Sequence, residues 1–138
     1  ITTRLVGSEM CIETVSAPLA KLLEGANRGT VYVRVDYTDK SGRVYHNNYC
    51  LGKQKDMDYP KVDLQTEVRS IEGGYEVTVS ADKFARAVCL SVADNESVYS
   101  DNYFDVQPKS SVQVQVRTRL SAEAFNGSLR LTCLNNEF

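Results

Sequence analysis

The residues that could do chemistry are few and scattered. A nucleophilic triad needs an imidazole as its base, and the sequence holds one histidine, His46. It stands beside Asn47 and Asn48 at the polar start of a hairpin strand, which reads as an exposed strand histidine. Paired carboxylates are the other route, because glycoside hydrolysis needs one acid to protonate the leaving group and a second to act as nucleophile or base. Asp56 with Asp58, and Asp94 with Glu96, are the local pairs. Both fall in expected loops, and a retaining pair must hold its carboxyls about 5–5.5 Å apart in a cleft that binds sugar. Nothing in the sequence argues for such a cleft. Asp56, Asp58 and Asp63 are the acids a calcium ion could use, but the spacing of an EF-hand loop is absent. The expectation is therefore no catalytic residue, no metal site and no cofactor.

Four cysteines, Cys11, Cys50, Cys89 and Cys133, lie far apart with no CxxC pair, which speaks against zinc. An even count permits disulfides, yet a domain of this size folds without them. Free, mostly buried thiols are the expectation. Cys89 with Cys133 is the pair to examine first for a bridge, since both fall in expected strands. Eight tyrosines and no tryptophan allow a sugar-stacking platform only if flat rings stand exposed together. Tyr32, Tyr45 and Tyr49 on the first hairpin are the candidate sugar contacts, although strand tyrosines are more often half-buried packing residues. Two glycosylation triplets, Asn95-Glu96-Ser97 and Asn126-Gly127-Ser128, fall in expected loops.

Composition narrows the partners. With 138 residues, 42% hydrophobic and 25% charged, the chain suits one ordinary globular domain. Net charge is −2 and the basic residues are dispersed, so the cationic face that nucleic acids demand is missing. No apolar run approaches the roughly 18 residues of a membrane span. The first residue is Ile1, which reads as an excised piece or a processed product.

The elements that must position these residues are strands. Residues 30–38 alternate, with Val31, Val33, Val35 and Tyr37 against Tyr32, Arg34 and Asp36. Asp39-Lys40-Ser41-Gly42 is a hairpin turn, and residues 43–51 return. Residues 52–60 form a polar loop. Residues 61–70, with Val62, Leu64, Thr66 and Val68 in register, turn at Gly73-Gly74 into Tyr75, Val77 and Val79. Residues 82–86 read as a tight helical turn capped by Ser80 or Asp82. Residues 87–92 place Val88, Leu90 and Val92 on one face and Ala87, Cys89 and Ser91 on the other. Residues 111–119 and 128–134 follow as strands, separated by a loop at 122–127, and residues 135–138 read as a frayed tail. Residues 1–28 are ambiguous, with a strand within 4–13 and a short helix opened by Pro18. About seven strands without a long helix define an all-β, two-layer antiparallel, immunoglobulin-like β-sandwich. It spans residues 29–138, with 1–28 a linker or remnant of a preceding domain.

The most specific local signal is Tyr99-Ser100-Asp101-Asn102-Tyr103-Phe104-Asp105. Short polar side chains bond nearby amides and fix the path of a turn, and flanking aromatics anchor it on a core. This reads as a structural corner, with a ligand site at Asp101 and Asn102 as the alternative.

Phe84-Ala85, Val88, Leu90, this corner and Pro108 together resemble the C-terminal immunoglobulin-like β-sandwich of β-mannosidases in glycoside hydrolase family 2, over residues 30–134. The chain departs from the family pattern at the following turn, where Lys109 replaces a glycine. The resemblance implies a non-catalytic domain whose work is packing against neighbouring domains of the parent glycosidase. That parent releases terminal non-reducing β-D-mannose, in the bacterial periplasm, outside the cell or in a lysosome, while the free-thiol reading suits a cytoplasmic home equally well. Its catalytic glutamates lie on a TIM barrel, which by itself takes about 250 residues, so none carries over. Related exo-β-glucosaminidases have similar tails. A carbohydrate-binding module, with an oligosaccharide as partner, is the competing reading.

Overall fold

A computed structural model describes residues 2–6 and 17–137. The chain divides into two compact units, Ile1–Asp58 and Tyr59–Phe138. This division falls after the first hairpin, later than the expected boundary at 28/29.

Unit 1 holds β1 (Thr2–Val6), α1 (Leu19–Leu23), β2 (Tyr32–Thr38) and β3 (Val44–Cys50). The sheet order is β1-β2-β3, with β1 parallel and β3 antiparallel to β2. The sheet is therefore mixed, its parallel strand coming from residues 1–28. Pro18 is the N-cap of α1, as a residue with fixed φ and no N–H to lose can be. The hairpin turn is tied by Asp39, whose Oδ1 accepts from the amides of Ser41 and Arg43, both at 2.9 Å. Residues 7–16, which contain Cys11 and most of the strand expected within 4–13, lie outside the described residues.

Unit 2 is a two-layer sandwich. Its strands are β4 (Leu64–Ile71), β5 (Gly74–Ala81), β6 (Ala85–Ser91), β7 (Val98–Tyr99), β8 (Phe104–Val106), β9 (Ser111–Arg117) and β10 (Arg130–Thr132), with α2 (Ala122–Ser128) before the last. One sheet runs β4-β5-β9-β7 and the other β10-β6-β8, and every pairing is antiparallel. The count of about seven holds, but its members change: the first hairpin lies in unit 1, and the short β7 and β8 replace it.

Alternation builds the core. Tyr75, Val77, Val79 and Ala81 of β5 point inward and are buried, as are Val114 and Val116 of β9 opposite. From the second sheet come Ala85, Val88, Leu90 and Val106. Each such side chain removed from water contributes on the order of 1.5–3 kcal/mol before entropy is counted. Gly74 is required where β5 meets β9, since a Cβ there would stand 2.0 Å from the Val116 carbonyl oxygen.

Three local expectations are corrected. Residues 82–84 bend without forming a helix; Asp82 instead accepts from the Asp63 amide at 2.9 Å. Residues 122–127 are helix, not loop. Ser121 caps α2 by accepting from the Ala124 amide, and the helix buries Phe125 completely against Tyr75, with ring centroids 4.1 Å apart. The tail is not frayed at 135–136: Asn135 is 2% exposed and bonded on both sides of its amide.

Candidate functional site

The corner at 99–105 carries the chain from one sheet of unit 2 to the other, and a side chain closes each end. On the first sheet, Tyr99 pairs with Val116 of β9. The next rung is made by Ser100, whose amide donates to the Gln115 carbonyl at 2.8 Å. Its hydroxyl accepts from the Gln115 amide at 2.9 Å, standing in for a backbone carbonyl. On the second sheet, Val88 pairs with Phe104, and two residues further along each strand Leu90 meets Asn102. Tyr103, at φ 61°, turns the backbone out of the strand there. The Asn102 amide group completes the rung instead, accepting from the Leu90 amide at 2.8 Å and donating to the Leu90 carbonyl at 2.9 Å. Only a side chain with a donor and an acceptor side by side can do this.

Asp105 closes a β-bulge. Ala85 pairs with Val106 and Val88 with Phe104, so Arg86 and Ala87 together face Asp105. Ala87 adopts φ 51°. Its amide donates to Asp105 Oδ1 at 3.0 Å, while the Arg86 guanidinium donates to Oδ2. The bulge is what lets both Ala85 and Val88 point inward. Tyr99 and Phe104 pack against the core.

Two members of the corner depart from expectation. Asp101 is exposed and its carboxylate bonds the exposed Asn102 amide, so it satisfies no buried group. Tyr103 is 72% exposed and anchors nothing in the core. The acceptors for the Leu90 and Ala87 amides are supplied by Asn102 and Asp105. The turn at Pro108 keeps the geometry of the missing glycine, for Lys109 sits at φ 59° with Pro108 ahead of it, as in a type II turn.

The three candidate sugar contacts do not share a face. Register sets Tyr37 opposite Tyr45 and Val33 opposite Tyr49, while Tyr32 stands opposite Cys50. Alternation therefore places Tyr45 and Tyr49 with Tyr37 on one side of the hairpin and Tyr32 on the other. Tyr37, Tyr45 and Tyr49 are all exposed.

The acids and thiols are dispersed or in structural use. Asp56 and Asp58 are exposed. Asp94 accepts from the amides of Glu96 and Ser97 and the Thr118 hydroxyl. With Glu96, Arg117 and Arg119 it lines a shallow open concavity beside Gly73. His46 is exposed on β3. Among the described residues no group of three or more His, Cys, Asp or Glu is placed to hold a metal ion, and no helix is long and apolar enough to cross a membrane. Among the described residues, Cys50, Cys89 and Cys133 form no disulfide with one another. A Cys89–Cys133 bridge is ruled out by register: Thr132 pairs with Cys89, so neighbouring Cys133 points to the opposite, inward face. Burial there pushes the Cys133 thiol up.

Sequence reasoning missed Asn135 and Asn136, whose type signals a turn or loop end and whose partners at 60–62 and 84–86 are far away in the chain. Two layers, Greek-key-like crossing at the corner and a valine-rich core define an immunoglobulin-like sandwich domain. The comparison with family models is specific: residues 59–137 match Ig_mannosidase, an Ig-fold domain. The chain belongs to that family, whose domain type is non-catalytic. No curated protein matches the chain.

Proposed function

We propose that this chain is the C-terminal, non-catalytic β-sandwich region of a β-mannosidase-like glycoside hydrolase of family 2, and that its work is to pack against neighbouring domains of the parent enzyme. The observation that carries this reading is the Ig_mannosidase match across nearly all of unit 2. The chemistry of the corner supports it: Ser100 and Asn102 spend their polar groups on backbone rungs and Asp105 spends its own on the Ala87 amide and the Arg86 guanidinium, which leaves a brace rather than a reaction centre. Unit 1 supports the packing role. Among its residues with described burial, only Gly29 and Asn48 are buried, so its sheet offers apolar surface to a further layer. The parent hydrolyses terminal non-reducing β-D-mannose residues under this reading; an exo-β-glucosaminidase parent is the near variant. The test is an assay of the isolated chain on aryl β-mannosides. No turnover is expected, and hydrolysis that tracks the purified chain contradicts the proposal.

A second reading, a carbohydrate-binding module, draws on the exposed Tyr37, Tyr45 and Tyr49 sharing one face of the hairpin. Titration calorimetry with manno-oligosaccharides separates the two. Millimolar or tighter binding abolished by Tyr49→Ala favours the module, and an absence of heat favours packing.

A further inference from the structure

An open sheet ends in strands whose outer backbone groups lack a partner, and natural sheets keep such edges short or blocked. In unit 2 the sheet ends are β4, β7, β8 and β10. β7 is two residues long, and β8 and β10 are three each. β4 is the exception, with eight residues from Leu64 to Ile71 and no proline. It bonds β5 on one side and, among the described residues, no strand on the other. Alternate residues of such a strand turn their N–H and C=O groups outward. Gln65, Thr66, Glu67, Arg69 and Ser70 along it are exposed.

The sequence of β4 is complementary to itself. Register sets Val68 opposite the buried Val77, on the core side, and Glu67 and Arg69 opposite Thr78 and Glu76, on the outer side. Arg69 Nη2 donates to Glu76 Oε1 at 2.8 Å, and its side chain is 73% exposed, so further guanidinium donors can meet a second carboxylate. A two-fold axis that places two copies of β4 side by side must oppose residues of equal parity, because residues directly opposite share a face of the pleat. The two longest registers of this kind centre on Glu67 and on Val68. Centring on Glu67 sets it against its own copy, and centring on Arg69 does the same with two guanidinium groups; like charges directly opposite are destabilising. Centring on Val68 sets Glu67 against Arg69 of the second copy, twice over. The same register sets Val68 against Val68 and Thr66 against Ser70, a hydroxyl pair of the kind that stabilises adjacent strands.

We infer that β4 pairs antiparallel with β4 of a second copy of this chain, about a two-fold axis at Val68, joining the two four-stranded sheets into one. Charges that turn a foreign strand away from this edge select this register for its own copy. The contact lies along an edge and leaves the faces of both sheets to other partners. The inference therefore goes beyond the proposed packing role and does not depend on it.

The test is sedimentation equilibrium of the whole chain at concentrations up to about 1 mM, the range of a small, weak interface. A monomer–dimer equilibrium is expected. Glu67→Arg opposes Arg to Arg at both sites and should raise the dissociation constant about ten-fold or more. Arg69→Glu opposes Glu to Glu and should do the same. Mixing the two variants restores opposite charges at both sites, so they are expected to form a heterodimer about as tight as the native pair. Circular dichroism checks that each variant keeps its sheet; if Arg69→Glu does not, Glu67→Arg alone decides. A native chain that stays monomeric throughout overturns the inference. So does a dimer that Glu67→Arg leaves intact, which would put the contact elsewhere, or a mixture of folded variants that fails to associate.

Discussion

Units 1 and 2 use the same strand chemistry to different ends. In unit 2, the inward residues of β5 and β9 meet those of β6 and β8, and Val77, Val79, Val88, Val114, Val116 and Phe125 are fully buried. In unit 1, β2 alternates Val33, Val35 and Tyr37 as cleanly, yet its residues remain half-buried or exposed, and Tyr45 and Tyr49 beside them are exposed. Alternation marks which face of a strand wants cover. It does not supply the cover, which must come from a second layer. Hydrophobic stabilisation depends on area removed from water, so unit 2 carries most of what this chain can contribute to its own stability.

Substitutions probe that difference at several strengths. The largest effect is expected at Phe125. Phe125→Ala empties the space against Tyr75 and should cost about 3–5 kcal/mol in urea unfolding followed by circular dichroism. The matched change in unit 1, Tyr49→Ala, should stay within about 0.5 kcal/mol in the isolated chain. A loss at Tyr49 as large as that at Phe125 would break the comparison.

Next comes the corner. Asn102→Ala leaves the Leu90 amide and carbonyl without their rung and should cost about 1–3 kcal/mol. Lys109→Gly should stabilise by roughly 0.5–1 kcal/mol, because it relieves a side chain held at positive φ at the expense of some unfolded-state entropy. Calorimetric melting of both variants checks the two signs.

Acid sensitivity is expected from unit 2 as well. The Asp63 amide, aided by the charge of Lys83, holds the Asp82 carboxyl below its ordinary 3.8. The folded state therefore binds that proton less readily than the unfolded chain. Its stabilising contribution is present above the unfolded value and is lost as pH falls through the folded one. Melting temperature should decline on acidification below about pH 4, and less steeply in Asp82→Asn. An identical pH profile for that variant would remove Asp82 from the account. The smallest effect is reserved for Asp101→Ala, within about 0.5 kcal/mol, since its carboxylate meets only an exposed amide.

The contrast between Asp101 and Asn102 also shows how far sequence could be read. The all-β class, the faces of residues 88–92 and the hairpin at Asp39–Gly42 follow from alternation and turn chemistry, which are local. The corner was legible as a turn because Ser, Asp and Asn cluster there. Which of them closes a rung was not, because that depends on Leu90 presenting a free N–H and C=O at the right height. Helix α2 was hidden by its length and by Asn126-Gly127, a pair that signals a turn but here lies in the last helical turn. Asn135 and Asn136 looked like tail residues for the same reason: their partners are brought to them only by the finished fold. Tyr32, Tyr45 and Tyr49 do not form one platform because the hairpin register sets Tyr32 opposite Cys50, on the face away from Tyr45 and Tyr49, and that register is fixed by the turn rather than by the strand pattern.

The most direct measurement is amide hydrogen exchange across the entire chain under native conditions. The account predicts that amides of β5, paired on both sides by β4 and β9, are the most protected, and that those of β2 and β3 exchange at least about a hundred-fold faster. Equal protection in the hairpin and in β5 would contradict it, showing that unit 1 already possesses the second layer that this account assigns to a neighbouring domain.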